Sequence, residues 1–311
     1  MSNRSLSHSP LQENWEKRSS VRSRPRIHLD LNESQYCYPV SKQALCLHPK
    51  VQALGDDALK FLLIQSFYKY THDIALIETS VINQSILPVI KNTLELPFTD
   101  EQKLALYTIM VDESYHAYVA FDAMKQLFEL TRVAPLVLPK TIELELALQK
   151  TLVQLDNKYH DLFKLIAICI AENTLSFDIV SLIETDDTPV FFRQMLREHL
   201  SDEGRHSSFF SDLLRHIWSH LSASIKNVVS EALPDFLMAY LGTQVQQQFE
   251  QQILLAMGLS QHDSLEIIQD TYGYFKITRH HPMLKRILAL LTSAGLFNSV
   301  VSPAFKETNW L

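Results

Sequence analysis

Glycine and cysteine are scarce in this chain of 311 residues, which has only 6 glycines and 3 cysteines. So few glycines favour long helices over a turn-rich β architecture, because glycine is the usual residue in tight turns. Cys37, Cys46 and Cys169 have no CxxC spacing and form no even set. The sequence therefore indicates no disulfide framework, and we expect a reducing compartment.

Long apolar runs and an excess of positive charge are also missing. The sequence has no uninterrupted apolar stretch of about 18 residues and no apolar signal core at its N-terminus, so we expect a cytoplasmic protein without a membrane span. The net charge of -7 gives no reason to expect a nucleic-acid partner.

Two copies of one pattern stand out: a single glutamate that precedes an Asp-Glu-x-x-His motif. The first copy joins Glu78 to residues 112–116, and the second joins Glu172 to residues 202–206. Glu and His three residues apart project from the same face of a helix. Two such helices plus one glutamate from each of two others form the ligand set of a carboxylate-bridged dinuclear site. Carboxylate oxygens suit iron or manganese, and one imidazole per motif argues against a zinc protease.

The surroundings of the two single glutamates are an independent check. Glu78 is the only charged residue within 74–90, and Glu172 is the only one within 165–177. A helix that is apolar nearly all round is buried. Burying an unpaired carboxylate is costly, so an arginine or tyrosine partner would be the ordinary explanation. The two downstream motifs instead favour metal ligation.

Acidic residues also stand directly before the motif glutamates. Asp112 and Asp202 lie four residues before the motif histidines, on the same side of the helix. Metal-bound imidazoles usually donate their other N–H to a carboxylate, so we expect both aspartates to orient the histidines. Arg205 is expected either to pair with one of these aspartates or to be solvated.

His199 shares the helical stripe of the second motif. It lies four residues before Glu203 and seven before His206. A lone histidine is more often a packed core residue, but its place one turn from the motif favours direct metal ligation.

Helix signals divide the rest of the chain. We predict four long helices that carry the motif residues, over 57–90, 100–132, 140–184 (broken near Asn157) and 189–221. We predict three more in an outer layer, over 223–257 (with a bend at Pro234 and a stop at Gly258), 262–275 and 282–294. No strand-like alternation is long enough for a sheet. The expected fold is all-α, a ferritin-like four-helix bundle core over about 57–221 with additional C-terminal helices over about 223–295.

Cap residues indicate where the helices begin. Thr99 and Gln102 form a predicted capping box, and Asp56 is a predicted N-cap. Thr188 followed by Pro189 predicts a cap residue and a first helical residue.

The N-terminal segment, residues 1–26, is rich in serine and arginine, with six Lys/Arg against two glutamates. We predict a flexible basic arm or a strap over the surface, with an anionic partner or a subunit contact as the alternative. Residues 27–311 are expected to form a single ferritin-like domain.

These motifs make the chain resemble the p-aminobenzoate N-oxygenase family of non-haem diiron enzymes. That family uses two copies of Glu followed by Asp-Glu-x-x-His, at intervals similar to the 33 and 29 residues found here. It also has a further histidine ligand four residues before the second motif glutamate, where this chain has His199. The stretch HPKVQALGDDALKFLLIQSFYKY over 48–70 is similar too. The likeness spans roughly residues 45 to 290 and leaves the N-terminal arm outside.

The resemblance implies which residues bind metal and substrate. The seven implied metal ligands are Glu78, Glu113, His116, Glu172, His199, Glu203 and His206. Tyr70, two turns before Glu78, and Arg279 match positions where the family can contact substrate, Arg279 as a carboxylate-binding arginine.

The implied activity is amine N-oxygenation in secondary-metabolite biosynthesis. Two iron ions per chain, with manganese as an alternative metal, would use O2 to oxidise an amine to a hydroxylamine, nitroso or nitro product. An external electron donor must re-reduce the site. The substrate is expected to be a free arylamine or an amino group on a carrier protein, and the enzyme is expected to be a homodimer.

Other protein classes use related ligand sets. A fatty-acyl desaturase or C-hydroxylase shares the Asp-Glu-x-Arg-His form of the second motif, but His199 is unexpected there. A ferritin-like iron-storage protein is the non-enzymatic alternative, although storage chains are compact bundles without the helices after residue 221. A ribonucleotide reductase radical subunit usually carries a tyrosine where this chain has Ala120.

Overall fold

Helices form the fold of residues 10–31, 36–297 and 303–310, which are the residues that this computed structural model describes. No strand occurs within these ranges, so the all-α prediction is confirmed. The α-helices are α1 Pro10–Arg18, α2 Ser20–Ser23, α3 Pro49–Gln52, α4 Asp56–Leu76, α5 Asn83–Ile90, α6 Asp100–Thr131, α7 Glu143–Leu152, α8 His160–Ile183, α9 Val190–His220, α10 Ala223–Tyr240, α11 Gln244–Ala256, α12 Gln261–Tyr272, α13 Pro282–Ser293 and α14 Pro303–Glu307. A π-helical turn, Ile77–Ile82, joins α4 to α5, and 3₁₀ turns occupy Val40–Lys42, Ala44–Leu47 and Asn157–Tyr159.

The core bundle consists of α4 with its π turn and α5, then α6, α8 and α9. α4 packs along α6, and α8 packs along α9. Each half of the bundle holds one half of the sequence repeat: Glu78, in the π turn that follows α4, with the motif of α6, and Glu172 of α8 with the motif of α9. The ferritin-like four-helix architecture predicted from the repeat is therefore confirmed.

Two buried apolar clusters fill the bundle, and the motif residues lie between them along each core helix. On α6, Leu106 and Ile109 belong to one cluster, and Ala123 and Leu127 belong to the other, on either side of the motif at 112–116. α8 shows the same order along the chain, whereas α9, and α4 taken together with its π turn and α5, show the reverse. The polar centre is thus enclosed by apolar side chains at both ends.

The predicted capping box at the start of α6 is confirmed. Thr99 Oγ1 accepts a hydrogen bond from the Gln102 amide at 3.1 Å, and Gln102 Oε1 accepts one from the Thr99 amide at 2.9 Å. The two side chains satisfy backbone donors that the first helical turn leaves without partners.

Two other predicted helix starts are wrong. Gly55 is the N-cap of α4, with a φ of 86° that glycine adopts without strain, and Asp56 is the first helical residue. Pro189 is the N-cap of α9 rather than its first helical residue. The Thr188 hydroxyl does not cap the helix but donates to the Leu182 carbonyl at 2.6 Å.

The outer layer differs from the prediction at one point. The single helix expected over 223–257 is two helices, α10 and α11, and Pro234 lies inside α10. The chain turns tightly at Gly242, where a Cβ would lie 3.1 Å from the Ala239 carbonyl oxygen.

The break predicted near Asn157 is confirmed by the 3₁₀ turn between α7 and α8. α10 packs on α7, and α13 packs on α8.

The described part of the N-terminal segment lies as a strap over the bundle. α1 and α2 pack on α6, and α2 also packs on α9. Arg26 anchors the strap through two hydrogen bonds of 2.8 Å to the Asp122 carboxylate. Residues 1–9 of the predicted arm lie outside the described residues, and the domain boundary at residue 27 stays a prediction.

Two helical stretches are long and apolar enough to cross a membrane by composition alone, Asp56–Ile90 and Asn157–Ile183. About half of each is buried within the fold, 50% and 56% of the most apolar window. Core helices of soluble proteins pass the same test, so this is weak evidence for a membrane span.

Candidate metal centre

All seven predicted ligands lie in one buried cluster at the middle of the bundle. Their potential ligand atoms form two overlapping groups, each with atoms within 4.8 Å of one another. The first group is Glu78, His116, His199 and Glu203, and the second is Glu113, Glu172, Glu203 and His206. Glu203 belongs to both groups. The arrangement is compatible with two adjacent metal positions, the first with two histidines and the second with one.

The backbone is irregular where Glu78 enters the cluster. Glu78 belongs to the π-helical turn Ile77–Ile82, a wider helical turn that often marks functional sites. Its side chain is 2% exposed, and its Oε1 lies 3.4 Å from His199 Nε2. The sequence predicted one regular helix here, so the π turn was missed.

Two glutamates have the geometry of bridging ligands. Glu113 Oε2 lies 2.9 Å from His116 Nδ1, and Glu113 Oε1 lies 2.8 Å from His206 Nδ1. Glu203 Oε1 lies 3.2 Å from His199 Nε2 and 3.3 Å from His206 Nδ1. One carboxylate from each motif therefore faces both positions, as bridges require.

Buried carboxylate oxygens without partners make the cluster suitable for binding cations. Both carboxylate oxygens of Glu172 are shielded from solvent and have no hydrogen-bond partner among the described residues. The same holds for Glu78 Oε2, Glu113 Oε1 and Glu203 Oε1. Glu113 Oε1 is close to His206 Nδ1 without hydrogen-bonding geometry, as expected when both atoms point at a common ion. Carboxylate oxygens and imidazole nitrogens are a donor set that iron or manganese fits.

The pKa shifts of the clustered glutamates are consistent with the binding of cations. Burial, together with the neighbouring carboxylates, raises the pKa of Glu78 and the pKa of Glu172 well above the usual glutamate value. Burial acts in the same direction on Glu113, but His206 and His116 lower the pKa of Glu113 to about 2. Divalent metal ions would supply positive charge that favours the ionised forms of Glu78 and Glu172.

The expected aspartate contacts are present, but they cross between the two motifs. Asp202 Oδ2 lies 3.1 Å from Nε2 of His116, and Asp112 Oδ2 lies 3.2 Å from Nε2 of His206. Arg205 joins the two aspartates, at 2.6 Å from Asp202 and 3.1 Å from Asp112. With Nε2 donating outward, Nδ1 of each motif histidine is left to face the metal positions.

The model of the family described as P-aminobenzoate N-oxygenase AurF matches residues 2–264. The chain belongs to this family. No curated protein matches the chain. The AurF family consists of soluble oxygenases with a ferritin-like diiron fold. This chain is therefore assigned as an oxygenase of that family.

The extent of the AurF match corrects the expected limits of the resemblance. The N-terminal arm was placed outside it, yet the match begins at residue 2. The match ends at residue 264, before the predicted end near 290 and before Arg279. The region of this chain that matches the AurF family therefore includes the strap.

The strap contacts the metal centre through the same two aspartates, which the sequence did not indicate. Trp15 Nε1 donates a hydrogen bond of 2.8 Å to Asp112 Oδ1. The Ser20 amide lies 3.2 Å from both oxygens of Asp202, and the Ser20 hydroxyl donates to it as well. A single tryptophan in an otherwise polar segment was the available signal, because such a residue needs a packing partner.

The two predicted substrate contacts have different outcomes. Tyr70 lines a cavity of about 300 Å³ whose wall includes Glu78 and His199. Arg279 does not line this cavity: it is exposed on the surface, and its nearest recorded partner is His280 at 3.3 Å. The prediction of Arg279 as a carboxylate-binding residue is therefore not supported by its position.

Proposed function

We propose that this AurF-family member oxidises an amine nitrogen with O2 at two iron ions held by the seven clustered side chains. One observation carries the proposal: His199 lies among Glu78, His116 and Glu203, where it adds a third histidine to the usual carboxylate-rich set. Manganese fits the same donors, so the choice of iron over manganese is itself part of the proposal.

The residues around the centre have distinct roles in this proposal. Glu113 and Glu203 would bridge the two ions, and Glu172 would bind the second ion alone. Asp112 and Asp202 hold the motif histidines in the tautomer that turns Nδ1 inward. The apolar clusters above and below the centre keep out water.

The bound irons would supply O2 activation, which side chains alone cannot provide. In the first oxidation step, an amine takes up one oxygen atom as a hydroxylamine. The other oxygen atom leaves as water, which consumes two electrons and two protons. An external electron donor must deliver those electrons, and further rounds would give the nitroso or nitro product.

The molecular setting is part of the same proposal. We expect a cytoplasmic enzyme of secondary metabolism that acts on a free amine or on an amino group tethered to a carrier protein. We also expect a homodimer, because α6 exposes an apolar stripe formed by Leu104, Tyr107, Val111, Tyr118, Phe121 and Phe128. Spacings of three, four and seven residues are those of a helix–helix seam.

The test is an assay of reduced, iron-loaded protein with O2 and a panel of amines, analysed by mass spectrometry. Products that carry one added oxygen on nitrogen would support the proposal. Products with a new C=C or C–OH bond would instead indicate the desaturase or C-hydroxylase alternative. Uptake of many irons per chain, without product, would indicate iron storage.

A further inference from the structure

The cavity beside the candidate metal centre has an acidic lining. At about 300 Å³ it is large enough for a small molecule, and it reaches from Glu78 and His199 outward. Three carboxylates outside the ligand set line it: Asp73, Glu143 and Asp178. No lysine or arginine is among its lining residues within the described part of the chain.

Asp178 is the least compensated of the three carboxylates. Its side chain is exposed at the wall of the cavity and makes no hydrogen bond or ion pair with any described residue. Partial desolvation by the surrounding protein raises the pKa of Asp178, and the field of Lys42 acts in the opposite direction. A cation inside the cavity would relieve this cost.

Asp73 and Glu143 are each only partly satisfied. Glu143 Oε1 accepts a hydrogen bond from the Val245 amide at 2.7 Å, while its Oε2 is shielded from solvent without a partner. Lys69 pairs with one oxygen of Asp73, and the other oxygen, Oδ1, is likewise shielded and without a partner among the described residues. When all three are ionised, these carboxylates therefore carry more negative charge than the ion pair with Lys69 offsets.

We propose that the substrate carries a second, cationic group in addition to the amine that is oxidised, as in a diamine or an arylamine with an ammonium side arm. This inference rests on the proposed function. The unprotonated amine would face Glu78 and His199, and the ammonium would bind among Asp73, Glu143 and Asp178. A substrate with a carboxylate at that end would face like charges in a cavity of low polarity.

Two arylamines of similar shape and opposite charge test the proposal. p-Aminobenzylamine and p-aminobenzoate each carry an aromatic amine, and they differ in an ammonium or a carboxylate at the other end. Their affinities for the iron-loaded protein would be measured by calorimetry without O2. We expect p-aminobenzylamine to bind at least about 10-fold more tightly, as a charge-assisted hydrogen bond allows.

A variant pair assigns that preference to the cavity. Asp178→Asn should reduce the preference about 10-fold by removing one charge. It should fold normally, because Asp178 has no hydrogen-bond partner to lose. Asp212→Asn, on the exposed surface of α9, is the matched control and should leave both affinities unchanged.

The outcomes separate this inference from the proposed function. Tighter binding of p-aminobenzoate, or an Asp178→Asn variant with an unchanged preference, would overturn the cationic substrate. If p-aminobenzoate is oxidised in preference, the N-oxygenase proposal stands and the cationic substrate falls. If p-aminobenzylamine binds through Asp178 and no tested amine is oxidised, the cationic ligand stands and the proposed reaction falls.

Discussion

Asp202 lies 3.1 Å from Nε2 of His116, a histidine of the other motif and 86 residues away in sequence. Asp112 has the corresponding relationship with His206. Each motif therefore supplies one ligand histidine and the carboxylate that orients the histidine of its counterpart. These crossed contacts connect α6 to α9 at the candidate metal centre. The geometry of each candidate metal position therefore depends on both motifs.

The crossed contacts predict which metal position an aspartate variant affects. Asp202→Asn should weaken metal binding or activity about 10–100-fold, because the amide is a poorer partner for the imidazole. The loss should fall on the position of His116 and His199 rather than on that of His206. Anomalous scattering from crystals of the variant would give the occupancy of each position. Equal occupancies with unchanged activity would show that Asp202 does not orient a ligand.

Substitution of Glu172 is predicted to have opposite effects on metal binding and on stability. Glu172→Leu should remove one metal position, so iron content should fall from two ions per chain towards one. The metal-free variant should nevertheless be more stable than the metal-free parent by about 1–4 kcal/mol, because a buried, unpaired carboxylate is replaced by an apolar side chain. Iron analysis and chemical unfolding in chelator measure the two effects. A variant that keeps two irons would remove Glu172 from the ligand set.

Helical periodicity predicts five of the clustered side chains, because residues three or four apart share a helix face whatever the helix packs against: Glu113, His116, His199, Glu203 and His206. Glu78 and Glu172 are predicted by a different signal, since each is the single charged residue of an apolar stretch. The partner of each aspartate could not be predicted, since it depends on how α6 meets α9. The π turn at Ile77–Ile82 also lacks a sequence signal, because a regular helix is the default for those residues.

His199 is predicted to tune reactivity rather than to hold the metal pair together. Its Nε2 lies 3.4 Å from Glu78 and 3.2 Å from Glu203, and the ring also faces the cavity. His199→Ala should retain two irons, because it removes a neutral donor and leaves the carboxylates of Glu78 and Glu203 at that position. The optical changes after mixing with O2, and the rate of amine oxidation, should differ sharply from the parent. Unaltered spectra and kinetics would reduce His199 to a packing role.

The strap is predicted to support the second metal position through Trp15. Trp15→Phe keeps an aromatic ring but removes the donor to Asp112, leaving that carboxylate with one partner fewer. We expect a loss of about 1–3 kcal/mol in stability and weaker metal binding at the position of His206. Glu13→Ala, an exposed change on the same helix, is the control. Metal affinity is measured by titration. If Trp15→Phe binds metal with the same affinity as the parent and the control, the strap does not act on the metal centre.

The apolar stripe of α6 predicts a dimer that a single charge disrupts. Phe121, 65% exposed, and Tyr118, 55% exposed, lie near the middle of the stripe. Two copies of the chain can pair these faces across a twofold axis, since the stripe is then complementary to itself. Phe121→Glu should therefore shift the protein from dimer to monomer in analytical ultracentrifugation. Tyr274→Glu, at a side chain that is 91% exposed outside the stripe, should leave the dimer intact. A parent protein that sediments as a monomer, or a dimer that survives Phe121→Glu, would place the stripe outside any subunit interface.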